Sequence, residues 1–140
     1  MRLALVLLAG CSAPRAPSIG NTAPAAPPAV IDVAIEPTSF HYCCKGGGTI
    51  ERSISLTAGH WLMRVGQHSD ECYEAIHPVV TTGTGERLST GVASTPAWAA
   101  TLVDVPAAFG DQPLRMRIFV EGGLRCCGTT TIDRIQLVRL

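Results

Sequence analysis

Cysteine is the residue type in this chain that most clearly indicates specific chemistry. Its thiol can be acylated, oxidised to a disulfide or used to ligate a soft metal ion. The 140-residue sequence contains six cysteines. Four of them form two vicinal pairs beside glycines, in the segments Cys43-Cys44-Lys45-Gly46 and Arg125-Cys126-Cys127-Gly128, and the other two are Cys11 and Cys72. Which chemistry each thiol performs depends on the compartment and on the elements that position it.

The amino-terminal segment indicates the compartment. It carries one positive charge at Arg2, a short apolar run from Leu3 to Leu8, and small residues before Cys11. This pattern is typical of a secretory signal, since a membrane-spanning helix needs about 20 apolar residues. The segment Leu8-Ala9-Gly10-Cys11 resembles the lipobox of bacterial lipoproteins, which implies that residues 1–10 are a signal peptide and that Cys11 is diacylated. An ordinary secretory signal with an incidental cysteine is the alternative.

A proline-rich tract follows the presumed lipid anchor. Residues 12–28 are mainly proline, alanine and small polar residues, which cannot bury enough apolar surface to offset the entropy of ordering. We expect residues 11–29 to be a semi-stiff tether and residues 30–140 to be one folded domain. The resemblance to lipoproteins also favours the outer membrane of a bacterial cell envelope, because Ser12 rather than Asp follows the cysteine.

The charge balance argues against a nucleic-acid partner. Basic and acidic residues number 11 each, and no basic stripe interleaved with aromatic residues is present in the sequence.

The pattern from residue 30 onward has a period of two and no convincing helical repeat. The clearest example is Leu114 to Val120, in which every second residue is apolar. About eight short strands, separated by glycine and proline turns, predict an all-β antiparallel sandwich or jelly roll. Trp61 and Trp98 lie in phase with apolar residues on their strands, which favours core positions for both.

Four segments in order resemble a known family. Ser55 to Trp61 (SLTAGHW) joins two strands by an Ala-Gly turn, and Thr95 to Trp98 starts a tryptophan-containing strand. Leu114 to Ile118 and Thr131 to Leu137, the latter with an I-D-x-I-x-L pattern, follow as the last two long strands. Over about residues 50 to 140 this order resembles galactose-binding-like jelly rolls, including carbohydrate-binding modules of the family 4 and 9 type. The resemblance implies a jelly-roll fold and a glycan ligand.

The same resemblance bears on the cysteines. In such jelly rolls the first and last strands pair antiparallel, which implies that Cys43-Cys44 and Cys126-Cys127 meet. An exported protein occupies an oxidising compartment, so we expect disulfides between the two pairs. With Cys11 acylated, Cys72 is the natural odd cysteine, although a bridge from Cys72 to either pair stays open.

A soft-metal site is the competing interpretation of the thiols. His41 beside the first pair, and His68 together with Cys72, would add ligands that suit Cu(I) or Zn(II). Vicinal thiols chelate a tetrahedral ion awkwardly, which weighs against this interpretation. Asp70 and Glu71 could form part of a calcium site, but two acidic residues in a loop are more often solvated. We therefore expect no cofactor, with calcium as the alternative.

Glycan binding in jelly-roll modules relies on exposed aromatic platforms, because a sugar ring presents apolar C–H faces. Tyr42, Tyr73 and Phe119 are the candidates, and Phe119 stands out because it is out of phase with the apolar residues of its strand. No Gly-x-Ser-x-Gly, His-Glu-x-x-His or phosphate-binding loop is present, which argues against an enzyme.

These observations predict a non-catalytic envelope lipoprotein that presents a jelly-roll module for glycan binding. The first alternative is a structural or assembly lipoprotein that contacts another envelope protein, and the second is a soft-metal-binding lipoprotein. Exposed aromatic residues on a concave sheet would favour glycan binding. A flat apolar patch around Phe119 or an exposed sheet edge would favour a protein partner.

Overall fold

The computed structural model describes residues 27–43, 45–69, 76–121 and 127–140, with the side chains of residues 45 and 46 excepted. Within these ranges no α-helix forms, no helix is long and apolar enough to cross a membrane, and one 3-10 turn spans Ala107–Phe109. The described strands are β1 Val30–Asp32, β2 Thr38–Cys43, β3 Lys45–Ser55, β4 Gly59–Ser69, β5 Ile76–Thr81, β6 Ser89–Thr95, β7 Trp98–Val105, β8 Pro113–Glu121 and β9 Cys127–Arg139.

The strands form two antiparallel sheets. The large sheet has the order β6-β7-β4-β9-β2, and β1 also pairs with β9. The small sheet has the order β3-β8-β5. Antiparallel pairing between β2 and β3, with Tyr42 opposite Gly46, connects one sheet to the other. The predicted all-β antiparallel fold is therefore confirmed. The structure describes nine strands, whereas the sequence predicts about eight. The strand that was not predicted is β2, which follows Pro37 and contains few aliphatic residues.

The core consists of the inward-facing residues of both sheets. Every second residue of β4 and β8 is buried, including Met63, Val65, Met116 and Ile118, all of which have no solvent exposure. Burying each such side chain contributes about 1.5–3 kcal/mol. A shift of one residue in register would turn this apolar set to solvent, so the core also fixes which residues occupy the outer faces.

The two tryptophans have different environments. Trp61 is 2% exposed and its indole N–H donates to the carbonyl of Thr57 at 3.0 Å, so its predicted core position is confirmed. Trp98 is 39% exposed, so the prediction that it is a core residue is wrong. The physical reason is that β7 has two apolar phases. Ala99 and Val103, rather than Trp98, occupy the buried phase.

Candidate functional site

Trp98 is placed on the outer face of the large sheet by the hairpin between β6 and β7. The hydroxyl oxygen of Thr95 accepts hydrogen bonds from the backbone N–H groups of Ala97 at 3.3 Å and Trp98 at 3.2 Å, which orders this turn. On the neighbouring strand β4, the residue opposite Trp98 is Gly66. Because glycine has no side chain, the position of β4 directly opposite Trp98 presents only backbone beside the indole ring. Trp98 is therefore an aromatic platform held at the start of a strand.

A groove of about 440 Å³ lies next to this platform. This volume is within the range of about 300–1,000 Å³ that is usual for small-molecule sites. Residues of the turn before Trp98 and residues of β4 and β9 line the groove. Its lining includes Gly66, His68, Pro96, Ala97, Asp133 and Arg134.

A β-bulge shapes the far wall of the groove. Gly66 pairs with Arg134, whereas the next residue of β4, Gln67, pairs with Ile132. Asp133 is therefore the extra residue of β9, and both Asp133 and Arg134 are exposed. Bulges redirect side chains in this way and are over-represented next to functional sites. Without the bulge, these two consecutive residues would point to opposite faces of the sheet.

The side chains around Gly66 are closely fitted. Asp133 Oδ2 lies 2.9 Å from His68 Nδ1, so the carboxylate of β9 pairs with the imidazole of β4. A Cβ atom at position 66 would lie 2.8 Å from Asp133 Oδ1 and 3.2 Å from the Cβ of Arg134. The arrangement therefore requires glycine at this position, and a larger residue would displace the polar wall.

This site combines an apolar ring with donors and acceptors of hydrogen bonds. The indole face of Trp98 can stack on an apolar surface, the guanidinium of Arg134 supplies up to five N–H donors, and Asp133 supplies carboxylate acceptors. A ligand that presents an apolar face and a polar edge, as a sugar ring does, matches this set. Among the described residues, no group of three or more histidine, cysteine, aspartate or glutamate side chains could hold a metal ion.

Of the two tyrosines predicted as exposed platforms, Tyr42 is described by the structure and Tyr73 is not. Tyr42 is 2% exposed and belongs to the core, because the inward phase of β2 contains both Tyr42 and the half-buried Phe40. The expectation that Tyr42 is an exposed platform is therefore wrong. Tyr73 lies outside the described residues, so its role stays a prediction.

Phe119 lies on the outer face of the small sheet and is half-buried. Its neighbours across the sheet are Thr49 on β3 and His77 on β5. The imidazole of His77 lies 3.3 Å from the carboxylate of Glu121. These described neighbours are polar or charged, so they do not form the flat apolar patch that would indicate a protein interface there.

The expected cross-link between the two cysteine pairs is present. Cys43 and Cys127 form a disulfide and lie opposite each other in β2 and β9. This bond leaves neither sulfur as a thiolate ligand for a soft metal. Cys44, Cys126, Cys72 and Cys11 lie outside the described residues, so the second bridge, the odd cysteine and the lipidation stay predictions.

The two histidines considered as metal ligands have other partners. His41 Nδ1 is 2.8 Å from the hydroxyl oxygen of Thr129, and His68 pairs with Asp133 as described above. Asp70 and Glu71, the residues considered for calcium, lie outside the described ranges.

Sequence reasoning missed Trp98 and Arg134 as site residues. For Trp98 a signal was present, since Ala99, Val103 and Val105 give its strand a second apolar phase that could face the core. Position 134 gave no comparable signal, because its exposure depends on a bulge that only the strand pairing reveals.

No family model matches the chain, and no curated protein matches its sequence. Among solved structures, the chain is similar to TmCBM61, a carbohydrate-binding module solved in complex with β-1,4-galactotriose. The TM-score is 0.51 with 18% sequence identity, and the match covers 74% of this chain and 70% of the other. At this identity the likeness shows the fold, an antiparallel β jelly roll. Carbohydrate-binding modules are a non-catalytic type of domain.

Proposed function

We propose that this domain is a non-catalytic carbohydrate-binding module that binds a glycan on the outer face of its large sheet. The observation that carries the proposal is the exposed Trp98 opposite Gly66, beside a groove walled by Asp133 and Arg134. The likeness in fold to a module that binds a galactotriose supports the same function. No part of the proposal requires a metal ion or a catalytic residue.

The interaction expected at this site is stacking of a sugar ring on the indole of Trp98, with ring hydroxyls bonded to the groove wall. Truncation of a tryptophan at the centre of a binding site commonly costs about 2 kcal/mol or more. That free energy corresponds to about a 30-fold increase in Kd. The side chain of Trp98 is exposed, so its truncation is expected to leave the core intact.

The experiment is a binding screen with the full chain against a set of immobilised polysaccharides, followed by calorimetric titration of those retained. We expect Trp98→Ala to weaken binding by about 30-fold and Trp98→Phe to recover part of it. The matched control is Leu102→Ala, which removes another exposed apolar side chain from the same strand and the same face, away from the groove. Equal affinity of Trp98→Ala and the unaltered chain, or retention of no glycan at all, would contradict the proposal.

We further propose that Cys11 is acylated and that the tract of residues 11–29 holds the module away from the outer membrane of a bacterial envelope. The lipobox-like segment Leu8-Ala9-Gly10-Cys11 supports this, and several acyl chains give an anchor that does not readily dissociate. Expression with radiolabelled palmitate is expected to label the unaltered chain and not Cys11→Ser, which should leave the membrane fraction. Labelling of both proteins would contradict the anchor.

The alternative function, contact with another envelope protein, has one observation in its favour. A row of apolar residues crosses four strands on the outer face of the large sheet. In order across the sheet, the row consists of Val30, Val138, Leu62 and Leu102. Val30 and Leu102 are 52% and 51% exposed. If this row were a protein interface, Leu102→Asp would abolish capture of a specific envelope protein and leave glycan binding unchanged.

A further inference from the structure

Two arginines lie on the same outer face as Trp98. Arg134 of β9 shares a cross-strand row with Trp98, with Gly66 of β4 between them. Two strand spacings of about 4.8 Å place the backbones of Trp98 and Arg134 about 9.5 Å apart. Arg64 precedes Gly66 by two residues on β4, so it points to the same face, where it lies opposite Ala100. The side chains of Arg134 and Arg64 can therefore both reach a ligand that rests on Gly66, next to Trp98.

Among the arginines that the structure describes, these two differ from the others in having no partner within the described residues. Arg115 and Arg117 pair with Glu51 at 3.2 and 2.9 Å. The guanidinium groups of the remaining described arginines donate to backbone carbonyl groups. Arg64 and Arg134 make no hydrogen bond or ion pair with any residue that the structure describes. Two guanidinium groups therefore face solvent beside the aromatic platform.

Two carboxylates on the same face each have a partner other than these arginines. Asp133 lies 2.9 Å from His68, and Asp32 accepts a hydrogen bond of 2.7 Å from the side-chain amide of Gln136. Gln136 separates Asp32 from Arg64 in the cross-strand row. Because an unpaired arginine is matched in geometry to carboxylate and similar oxyanions, this face is suited to a ligand with negative charge.

We propose that the glycan bound at Trp98 is anionic: one sugar ring stacks on the indole, and its acidic group receives hydrogen bonds from Arg134 and Arg64. This inference rests on the proposed function and names the class of its ligand. A uronate and a sulfated sugar share this chemistry, and both present oxygens that an arginine fork can contact bidentately. The absence of a side chain at Gly66 leaves the space between platform and charge in which the ring would lie.

The test compares matched polymers that differ only in charge. Polygalacturonate is titrated into the full chain beside its fully methyl-esterified form, and dextran sulfate is titrated beside dextran. We expect the anionic member of one pair to bind at least 10-fold more tightly than its neutral form, and the pair that shows the difference identifies the acidic group. This preference should shrink as salt is raised, because exposed charges are screened.

The arginine variants locate the effect. Arg134→Gln and Arg64→Gln are each expected to weaken binding of the anionic polymer by about 10-fold and to reduce its preference over the neutral polymer. The affinity for the neutral polymer should fall less, because it has no acidic group for the arginines to contact. The control Arg115→Gln removes the same charge from the small sheet and should change neither affinity. Both target residues are exposed, so the thermal unfolding midpoint is expected to stay unchanged.

The outcomes separate the two proposals. Equal binding of neutral and anionic polymers, lost together in Trp98→Ala, would overturn this inference and keep the proposed function. Binding of anionic polymers that survives in Trp98→Ala would be adsorption to charge without a stacked ring, and it would overturn both. Retention of no polymer of either pair, when the screen has retained another neutral glycan, would overturn this inference alone. Retention of no glycan at all would overturn the proposed function and with it the inference.

Discussion

Removal of the Cys43–Cys127 disulfide is expected to lower the free energy of unfolding substantially. The bond joins β2 to the last strand across a sequence separation of 84 residues. In the chain-entropy model, closing a loop of this length reduces the entropy of the unfolded chain and stabilises the fold by about 4.5 kcal/mol. This is a large share of the 5–15 kcal/mol that is typical of a whole domain.

A simple Cys43→Ser substitution would not measure this quantity. The sequence predicts that the neighbouring thiols of Cys44 and Cys126 form a second bridge, which would close nearly the same loop. The effect is therefore measured in a background that carries Cys44→Ser and Cys126→Ser. In the unaltered chain, by contrast, replacing Cys43 and Cys127 together should cost little, because the second bridge would keep the loop closed.

The assay is urea unfolding of the full chain without reductant, followed by circular dichroism. With a denaturant slope of about 2 kcal/mol per M, a loss of about 4.5 kcal/mol lowers the midpoint by about 2 M. Adding reductant to the background protein should produce the same shift. A shift below about 0.5 M at unchanged slope, in either version of the experiment, would refute the loop-closure reasoning.

Three further substitutions test other parts of the structure. Gly48→Ala would place a Cβ on the ring carbons of Phe40, so we expect a loss of about 1–3 kcal/mol in urea unfolding, relieved when Phe40→Ala is added. Gly66→Ala would bring its Cβ to 2.8 Å from Asp133 Oδ1, and since that side chain can move, we expect unchanged stability but about 10-fold weaker glycan binding in calorimetry. Glu51→Gln removes two exposed ion pairs with arginines of β8 and should change the unfolding free energy by less than about 1 kcal/mol. This difference should vanish in about 0.5 M salt, because salt screens exposed charges.

The fold could be predicted because its strongest signal is local. In Leu114 to Val120 every second residue is apolar, and the structure buries that phase. The antiparallel pairing of the first strand with the last followed from the resemblance to jelly rolls and is confirmed by β1 and β9. The expected meeting of the two cysteine pairs is also confirmed, although it is the additional strand β2 that brings Cys43 opposite Cys127. Where only one phase of a strand is apolar, the sequence determines which face lies inside.

The candidate site could not be predicted, because its signals are not local. In β7, Ala100 and Leu102 give one apolar phase while Ala99 and Val103 give the other, so alternation alone does not decide where Trp98 points. The small side chain of Ala99 is completely buried, whereas the indole of Trp98 lies on the outer face, where the residue opposite is Gly66. Burial in this case is decided by neighbouring strands rather than by hydrophobicity.

The position of the site on β4 and β9 has a consequence for how tightly it can bind. These strands lie next to each other inside the large sheet, and their inner residues Met63, Val65 and Ile135 are completely buried. A backbone held in this way needs little further ordering when a ligand arrives, which removes one of the main costs of binding. The remaining cost is to immobilise the side chains of Trp98 and the arginines, at about 0.5–1.5 kcal/mol each. The affinity of the site should therefore depend on these few side chains and hardly on loop movement.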